Sequence, residues 1–240
     1  MPHEPFLKCV TLLRDRVDSF DRYPFSIPAI RHLEQLDFHP TLTIFAGENG
    51  TGKSTLLEAI AVVEGLNLEG GSRNFRFSTR EAPCELAQAL RLGRGARKLK
   101  KSDAFFLRAE SFFNVATEAE RLGVAYDSQS LHDQSHGESF LSLLTNRFRG
   151  NGLYLLDEPE AALSPTRQLS FLRLIHELAA EGSQFIVATH SPIIMGYPEA
   201  SIYWFSSSEL RLINYEDTEH YKVTKLFLDG RERILRELFA

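Results

Sequence analysis

Eight residues constrain this chain more than any others: Gly47-Glu48-Asn49-Gly50-Thr51-Gly52-Lys53-Ser54. They fit the spacing G-x-x-x-x-G-K-[ST]. An apolar, β-rich run at 41–46 precedes them, bounded by Pro40 and Gly47, and the pattern predicts a helix over 54–64 behind them. A turn of this kind needs glycine, because only glycine lets the backbone bend tightly and bring its N–H groups against phosphate oxygens. The helix that follows presents its positive end to the same anion. Lys53 would reach the β- and γ-phosphates of a nucleotide, the Ser54 hydroxyl would bind magnesium, and Thr55 is the next helix residue.

A second segment points to the same chemistry. Leu153-Tyr154-Leu155-Leu156-Asp157-Glu158-Pro159 is an apolar strand that ends in two acids. At the end of such a strand Asp157 would hold magnesium, and Glu158 would polarise an attacking water. The other elements alternate. Strands are predicted at 75–78, 104–107 and 185–189, and helices at 81–92, 112–122, 138–148 and 223–239. The helix over 166–181 is the best marked. Phe171, Leu174, Ile175 and Leu178 form one apolar stripe, Ser164 caps the start, Pro165 fits the first turn and Gly182 fits the end. Residues 202–205 and 210–213 read as a hairpin. Strands alternating with helices predict an α/β fold, a mostly parallel sheet flanked by helices.

Composition excludes several alternatives. The chain has 240 residues, 43% hydrophobic and 25% charged, which suits one α/β domain and rules out wholesale disorder. The net charge of -5 gives no support to constitutive nucleic-acid binding, and the basic run at 93–101 reads as a solvated loop. Cys9 and Cys84 lack metal spacing and read as free thiols of a reducing compartment. Residues 1–10 carry no signal-peptide run, and the apolar run at 59–63 is far too short for a bilayer. The expected setting is cytoplasmic, without direct membrane insertion.

The order of further motifs narrows the class. Ser135-His136-Gly137-Glu138-Ser139 stands at a helix start, Ala162-Leu163-Ser164 follows Glu158 closely, and the strand at 185–189 runs into His190-Ser191-Pro192. This order resembles the ABC-type P-loop ATPases: Walker A, a signature loop, Walker B with a catalytic Glu, a D-loop and a switch histidine. Ser-x-Gly-Glu is closer to the soluble branch (RecF, SMC and OLD-type ATPases, and small bacterial AAA-family ATPases) than to the Leu-Ser-Gly-Gly-Gln of transporters. The resemblance covers about 41–192.

It implies a single ABC-type domain over 1–240, with a small helical or arm lobe at about 66–148 between the two Walker segments. It implies ATP and Mg2+ as cofactors and ATP hydrolysis as the activity. It implies Lys53, Glu158 and His190 as catalytic residues, and Ser54 and Asp157 as magnesium ligands. Ser135, Gly137 and Glu138 would contact ATP bound to a second copy, in an ATP-dependent homodimer that drives an unidentified protein partner or a DNA-related process. The alternatives are a transporter's ATPase subunit and an ATPase component of a DNA-repair or phage-defence complex. The Q-loop glutamine of the family is not evident. Glu110, after the strand at 104–107, is the candidate for its place, and Tyr23 or Phe25 for stacking on adenine. His132, Asp133 and His136 read as polar loop residues rather than metal ligands. Residues 217–221 and the following helix, with Arg231, Arg233 and Arg236, suggest an interaction or regulatory element.

Overall fold

The computed structural model describes residues 3–66, 82–99, 103–109 and 136–240. The chain opens with β1 (Leu7–Leu12), a short helix α1 (Pro28–Arg31), β2 (Gln35–Asp37) and β3 (Leu42–Gly47). Helix α2 (Lys53–Val63) follows the glycine-rich turn, then α3 (Ala82–Gln88), β4 (Leu90–Arg94) and β5 (Ala104–Arg108). The C-terminal half holds α4 (His136–Arg147), β6 (Leu153–Asp157), α5 (Pro165–Ala180), β7 (Gln184–Ala188) and α6 (Pro192–Met195). Strands β8 (Ser201–Phe205) and β9 (Leu210–Ile213) and helix α7 (Glu219–Leu238) complete it.

Six strands form the main sheet in the order β5-β6-β7-β3-β8-β9, parallel except for β9. Every residue of β3, β6 and β7 is buried, which explains why these strands read as continuous apolar runs rather than alternating ones. Alternation survives in which layer each side chain enters. Phe45, Leu155, Ile186 and Phe205 join α2 and the small sheet in one core, whereas Ile44, Leu156, Val187 and Ile202 join the layer of α4, α5 and α6 in the other. The fold is thus the α/β arrangement that the sequence predicts.

The antiparallel sheet β2-β1-β4 is an addition that the sequence reading lacks. Residues 81–92 read as one helix, but the helix ends at Gln88 and the chain continues as β4, pairing Leu90 with Leu12 and Leu92 with Val10. Helix-forming side chains are overruled there by a distant strand partner. Gln184, fully buried at the start of β7, fastens the two sheets together. Its Oε1 accepts from the backbone N–H of Phe6 (3.0 Å) and Leu7 (2.9 Å), and its Nε2 donates to the carbonyls of Leu7 (2.8 Å) and His39 (3.0 Å).

Two arginines of the basic run are engaged. Arg97 lies over the Phe6 ring and donates to the Gly182 carbonyl and Asn151 Oδ1, while Arg94 pairs with the buried Glu64. Of residues 66–148, β4 belongs to the small sheet and β5 to the main one. The strand expected at 75–78 and the helix expected at 112–122 lie outside the described residues. Helix α7 has no buried residue, Leu226, Leu228 and Leu238 are exposed along it, and Phe239 is exposed just past its end. No helix among the described residues is long and apolar enough to cross a membrane.

Candidate functional site

The strand register brings the sequence motifs to one edge. Arg108 stands opposite Asp157, Asp157 opposite Ala188, and Ala188 opposite Phe45. The carboxyl ends of β5, β6, β7 and β3 are therefore level. The residues that follow them, Glu158, His190 and the turn from Gly47, emerge side by side although the turn is over a hundred positions from the other two in the chain. This is the crevice in which open α/β sheets bind ligands.

The turn is built as its glycines require. Gly47, Gly50 and Gly52 have φ of 137°, 78° and 99°. A Cβ on Gly47 would lie 2.0 Å from the Phe205 carbonyl oxygen. Thr51 Oγ1 donates to the Glu48 carbonyl, closing the loop, and Asn49 lies exposed within it. Gly52 is the N-cap of α2 and supplies no side-chain acceptor, so the helix's first N–H groups are left for an anion. Lys53 is 4% exposed, and its Nζ donates to the carbonyls of Gly47 (2.9 Å) and Glu48 (2.6 Å). Burial lowers the pKa of this amine, against the pull of Glu158, Asp157, Glu160 and Glu48.

Ser54 Oγ donates to Asp157 Oδ1 at 2.8 Å, joining the two Walker segments directly. The other carboxylate oxygen, Oδ2, lies 3.2 Å from Arg108 Nε, and Arg108 also binds Glu58 Oε1 at 2.7 Å. Burial pushes the Asp157 carboxyl up to about 6, with Arg108 and Ser54 acting in the opposite sense. Two hard oxygens in contact beside a buried carboxylate are donors suited to magnesium. Glu158 sits in the left-handed region (φ 49°, ψ 51°) with its N–H donated to the Ala188 carbonyl. Such a conformation costs a non-glycine residue about 1–2 kcal/mol and is typical of functional positions.

Beyond β7 the backbone is held by Glu160, a residue that the sequence motifs do not single out. Its carboxylate accepts from Thr189 Oγ1 (2.7 Å) and from the backbone N–H of His190. The Glu-Pro-Glu spacing was its visible signal. Ser191 caps α6 through the N–H groups of Ile193 and Ile194. So held, His190 points its Nε2 to within 3.6 Å of Glu158 Oε1. Burial, then Lys53 and His220, pull its pKa down to about 4, so the ring is neutral at pH 7.

Tyr23 is 58% exposed, with its hydroxyl 3.4 Å from Thr55 Oγ1, whereas Phe25 is buried in the core and unavailable to a ligand. Gly137 and Glu138 fall in the first turn of α4, which begins two residues earlier than predicted. Ser135, His132, Asp133 and Glu110 lie outside the described residues. Among the described residues no cluster of three His, Cys, Asp or Glu side chains is arranged to hold a metal ion, so a cation here would rest on Ser54, Asp157 and nucleotide oxygens.

Comparison with known proteins agrees with this geometry. The thiamine import ATP-binding protein ThiQ of Cereibacter sphaeroides is 31% identical over 164 residues, covering 61% of this chain and 69% of that one. The chain belongs to the ABC-type P-loop ATPases. Residues 24–110 of this ABC-type ATPase match the family described as "AAA domain". Residues 126–196 match the one described as "AAA domain, putative AbiEii toxin, Type IV TA system". Its fold is shared with cbiO1 from Clostridium perfringens, part of the ABC transporter complex cbiONQ. That protein is 17% identical, with 99% and 100% of the two chains covered and a TM-score of 0.52. The SMC head domain from Thermotoga maritima aligns at 19% identity over 87% and 98% of the chains, with a TM-score of 0.49.

Proposed function

We propose that this protein binds magnesium-ATP and hydrolyses it, and that ATP closes two copies head to tail around two nucleotides. The observation that carries the reading is the meeting of Lys53, Ser54, Asp157, Glu158 and His190 at one level of the sheet. Catalysis at such a site is positioning plus charge stabilisation. The backbone N–H groups from Gly50 to Lys53 cradle the phosphates, with Glu48, Asn49 and Thr51 shaping the loop and Thr55 following in the helix. Lys53 exchanges its two carbonyl partners for β- and γ-phosphate oxygens. Ser54 and Asp157 hold the metal, for which their paired oxygens are a chemical fit. Magnesium, when bound, neutralises charge on the phosphate oxygens.

Glu158 accepts a hydrogen bond from the attacking water at its carboxylate oxygen and takes the proton as the water adds. His190 donates to the γ-phosphate. Tyr23, exposed beside Thr55, is the aromatic candidate for adenine. Ser135, Gly137 and Glu138 would meet the γ-phosphate of the opposite copy from a helix start suited to anions. In this reading the chain acts as one ATPase domain, with the segment around 66–148 carrying the signature lobe, and its dimer cycle drives a protein or DNA partner.

Phosphate release and solution mass test it together. Lys53→Ala should abolish ATP binding. Glu158→Gln should slow turnover by at least about a hundredfold, on the scale of general-base removal, and should double in mass with Mg-ATP. Wild-type rates in both variants would end the hydrolytic reading, and an unchanged mass at saturating ATP would end the dimer. The name of the thiamine-import relative favours one other reading, a transporter's ATPase subunit. Stable co-purification with a membrane-spanning subunit would replace the first reading with that one.

A further inference from the structure

His190 has a neighbour from an element that the proposed chemistry leaves unused. His220, in the first turn of α7, puts its Nε2 3.3 Å from His190 Nδ1, with the ring centroids 5.4 Å apart. Its place is fixed. Thr218, fully buried, donates to the Tyr215 carbonyl at 2.7 Å and caps the helix by accepting from the Tyr221 N–H. Trp204 packs edge-on to the His220 ring at 5.7 Å. The two imidazoles share one hydrogen bond, so one ring donates and the other accepts. Two atoms at the ends of this pair, His190 Nε2 and His220 Nδ1, are buried and have no hydrogen-bond partner among the described residues.

Proton accounting distinguishes the two arrangements. If His190 Nδ1–H donated, its Nε2 would carry a bare lone pair facing the Glu158 carboxylate at 3.6 Å. Two acceptors would then face each other in a half-buried site, and a γ-phosphate oxygen would be a third. If His220 Nε2–H donates, His190 Nδ1 accepts and its remaining proton is on Nε2, as a donor towards Glu158. A tautomer is set by the hydrogen bond made at the other ring nitrogen, and here only the second arrangement gives His190 an acceptor towards His220 and a proton on the side of the Glu158 carboxylate, 3.6 Å away. Burial depresses the pKa of both rings, so a doubly protonated ring does not enter the choice at pH 7.

We infer that His220 is a positioning residue: it donates its Nε2–H to His190 Nδ1 and thereby fixes His190 as the Nε2–H tautomer, a donor aimed at Glu158 and at the γ-phosphate. This rests on the hydrolytic reading of His190 given above. It makes the start of the C-terminal helix part of the nucleotide site. Partners that orient a metal-ligating histidine in this way are worth about 10–100-fold in affinity or activity, and the same scale is expected for a histidine oriented towards phosphate.

The experiment uses the full chain, wild type and two variants. Long-range 1H–15N correlation spectra of the nucleotide-free protein report which His190 nitrogen carries the proton, and steady-state phosphate release gives kcat and KM. His220→Phe keeps the aromatic packing against Trp204 but has no donor. His220→Gln returns an amide N–H at about the position of the imidazole Nε2.

Wild type should show His190 protonated at Nε2. His220→Phe should mix the tautomers and lower kcat at least about tenfold, with KM changed less than about twofold. His220→Gln should recover the tautomer and most of kcat. A wild-type His190 protonated at Nδ1 overturns the proposal whether or not either variant folds. So does a His220→Phe protein with an unchanged tautomer and rate, or a His220→Gln protein as impaired as His220→Phe. A wild type that shows the Nε2–H tautomer yet releases no phosphate would instead count against hydrolysis and leave the His220 contact standing.

Discussion

Replacing Asp157 by asparagine should make the nucleotide-free protein more stable at neutral pH while disabling it. The carboxyl group is 1% exposed, and burial raises its pKa from 3.8 to about 6 despite the Arg108 and Ser54 contacts. The folded state therefore retains a proton that the unfolded chain releases near pH 4. With a folded-state pKa above the unfolded one, this group's stabilising contribution is complete below about pH 3.8 and is lost as the pH rises to about 6. At about 1.4 kcal/mol per pH unit, the interval between 3.8 and about 6 amounts to about 3 kcal/mol. Asp157→Asn removes the titration and keeps an acceptor for Ser54 Oγ, while Arg108 keeps Glu58 at 2.7 Å. Urea unfolding in EDTA at pH 4.5, 5.5 and 7.5 should show a variant advantage that opens across this range and is level above it. Other titrating groups are common to both proteins and cancel in the difference. Parallel stability profiles for the two proteins would refute the reasoning. Magnesium-ATP should reverse the order, stabilising the wild type and leaving the variant unchanged.

Other perturbations are sharply graded. Because free Asp157 is protonated below about pH 6, magnesium-ATP affinity should fall about tenfold per pH unit below it, after correction for protonation of ATP itself; a flat calorimetric profile would contradict this. Gly47→Ala drives a Cβ into the Phe205 carbonyl and should cost at least about 3 kcal/mol in thermal unfolding. Gly50→Ala meets nothing within 4 Å and should cost only the left-handed backbone term of about 1–2 kcal/mol. Equal losses at the two positions would count against the packing argument. Gln184→Leu strands two N–H groups and two carbonyls of the buried stitch, and urea unfolding should register a loss of about 3–6 kcal/mol.

What could be read from the residues followed from how local the physics is. The phosphate loop, the acidic strand end and the β8–β9 hairpin are short segments whose residue types are dictated by their own backbone and chemistry, and all were legible. The helix of 166–181 was legible because its stripe, cap and stop agree. The small sheet was not. β2 has three residues, the β1–β4 pairing is irregular between Leu7 and Cys9, and Leu90–Arg94 becomes a strand only because β1 lies beside it. The site followed the same division. Lys53, Asp157, Glu158 and His190 carry motifs, whereas Arg108, Glu160 and His220 act through neighbours 49, 30 and 30 positions away, Asp157 and His190 respectively. Residues 217–221 stand out in the sequence as a cluster, but nothing local connects His220 to His190.

The C-terminal helix is anchored beside the nucleotide site at Thr218 and His220 and runs outward with no residue buried. That geometry magnifies. At about 1.5 Å rise per residue, Gly230 lies about 18 Å along the axis from Thr218, so a swing of about 10° at the anchor displaces that point by about 3 Å. A swing of the helix about this anchor is thus amplified along its length. A paired label on α7 and on the rigid sheet would track the state of the site as a change in distance, with no probe placed in the site itself.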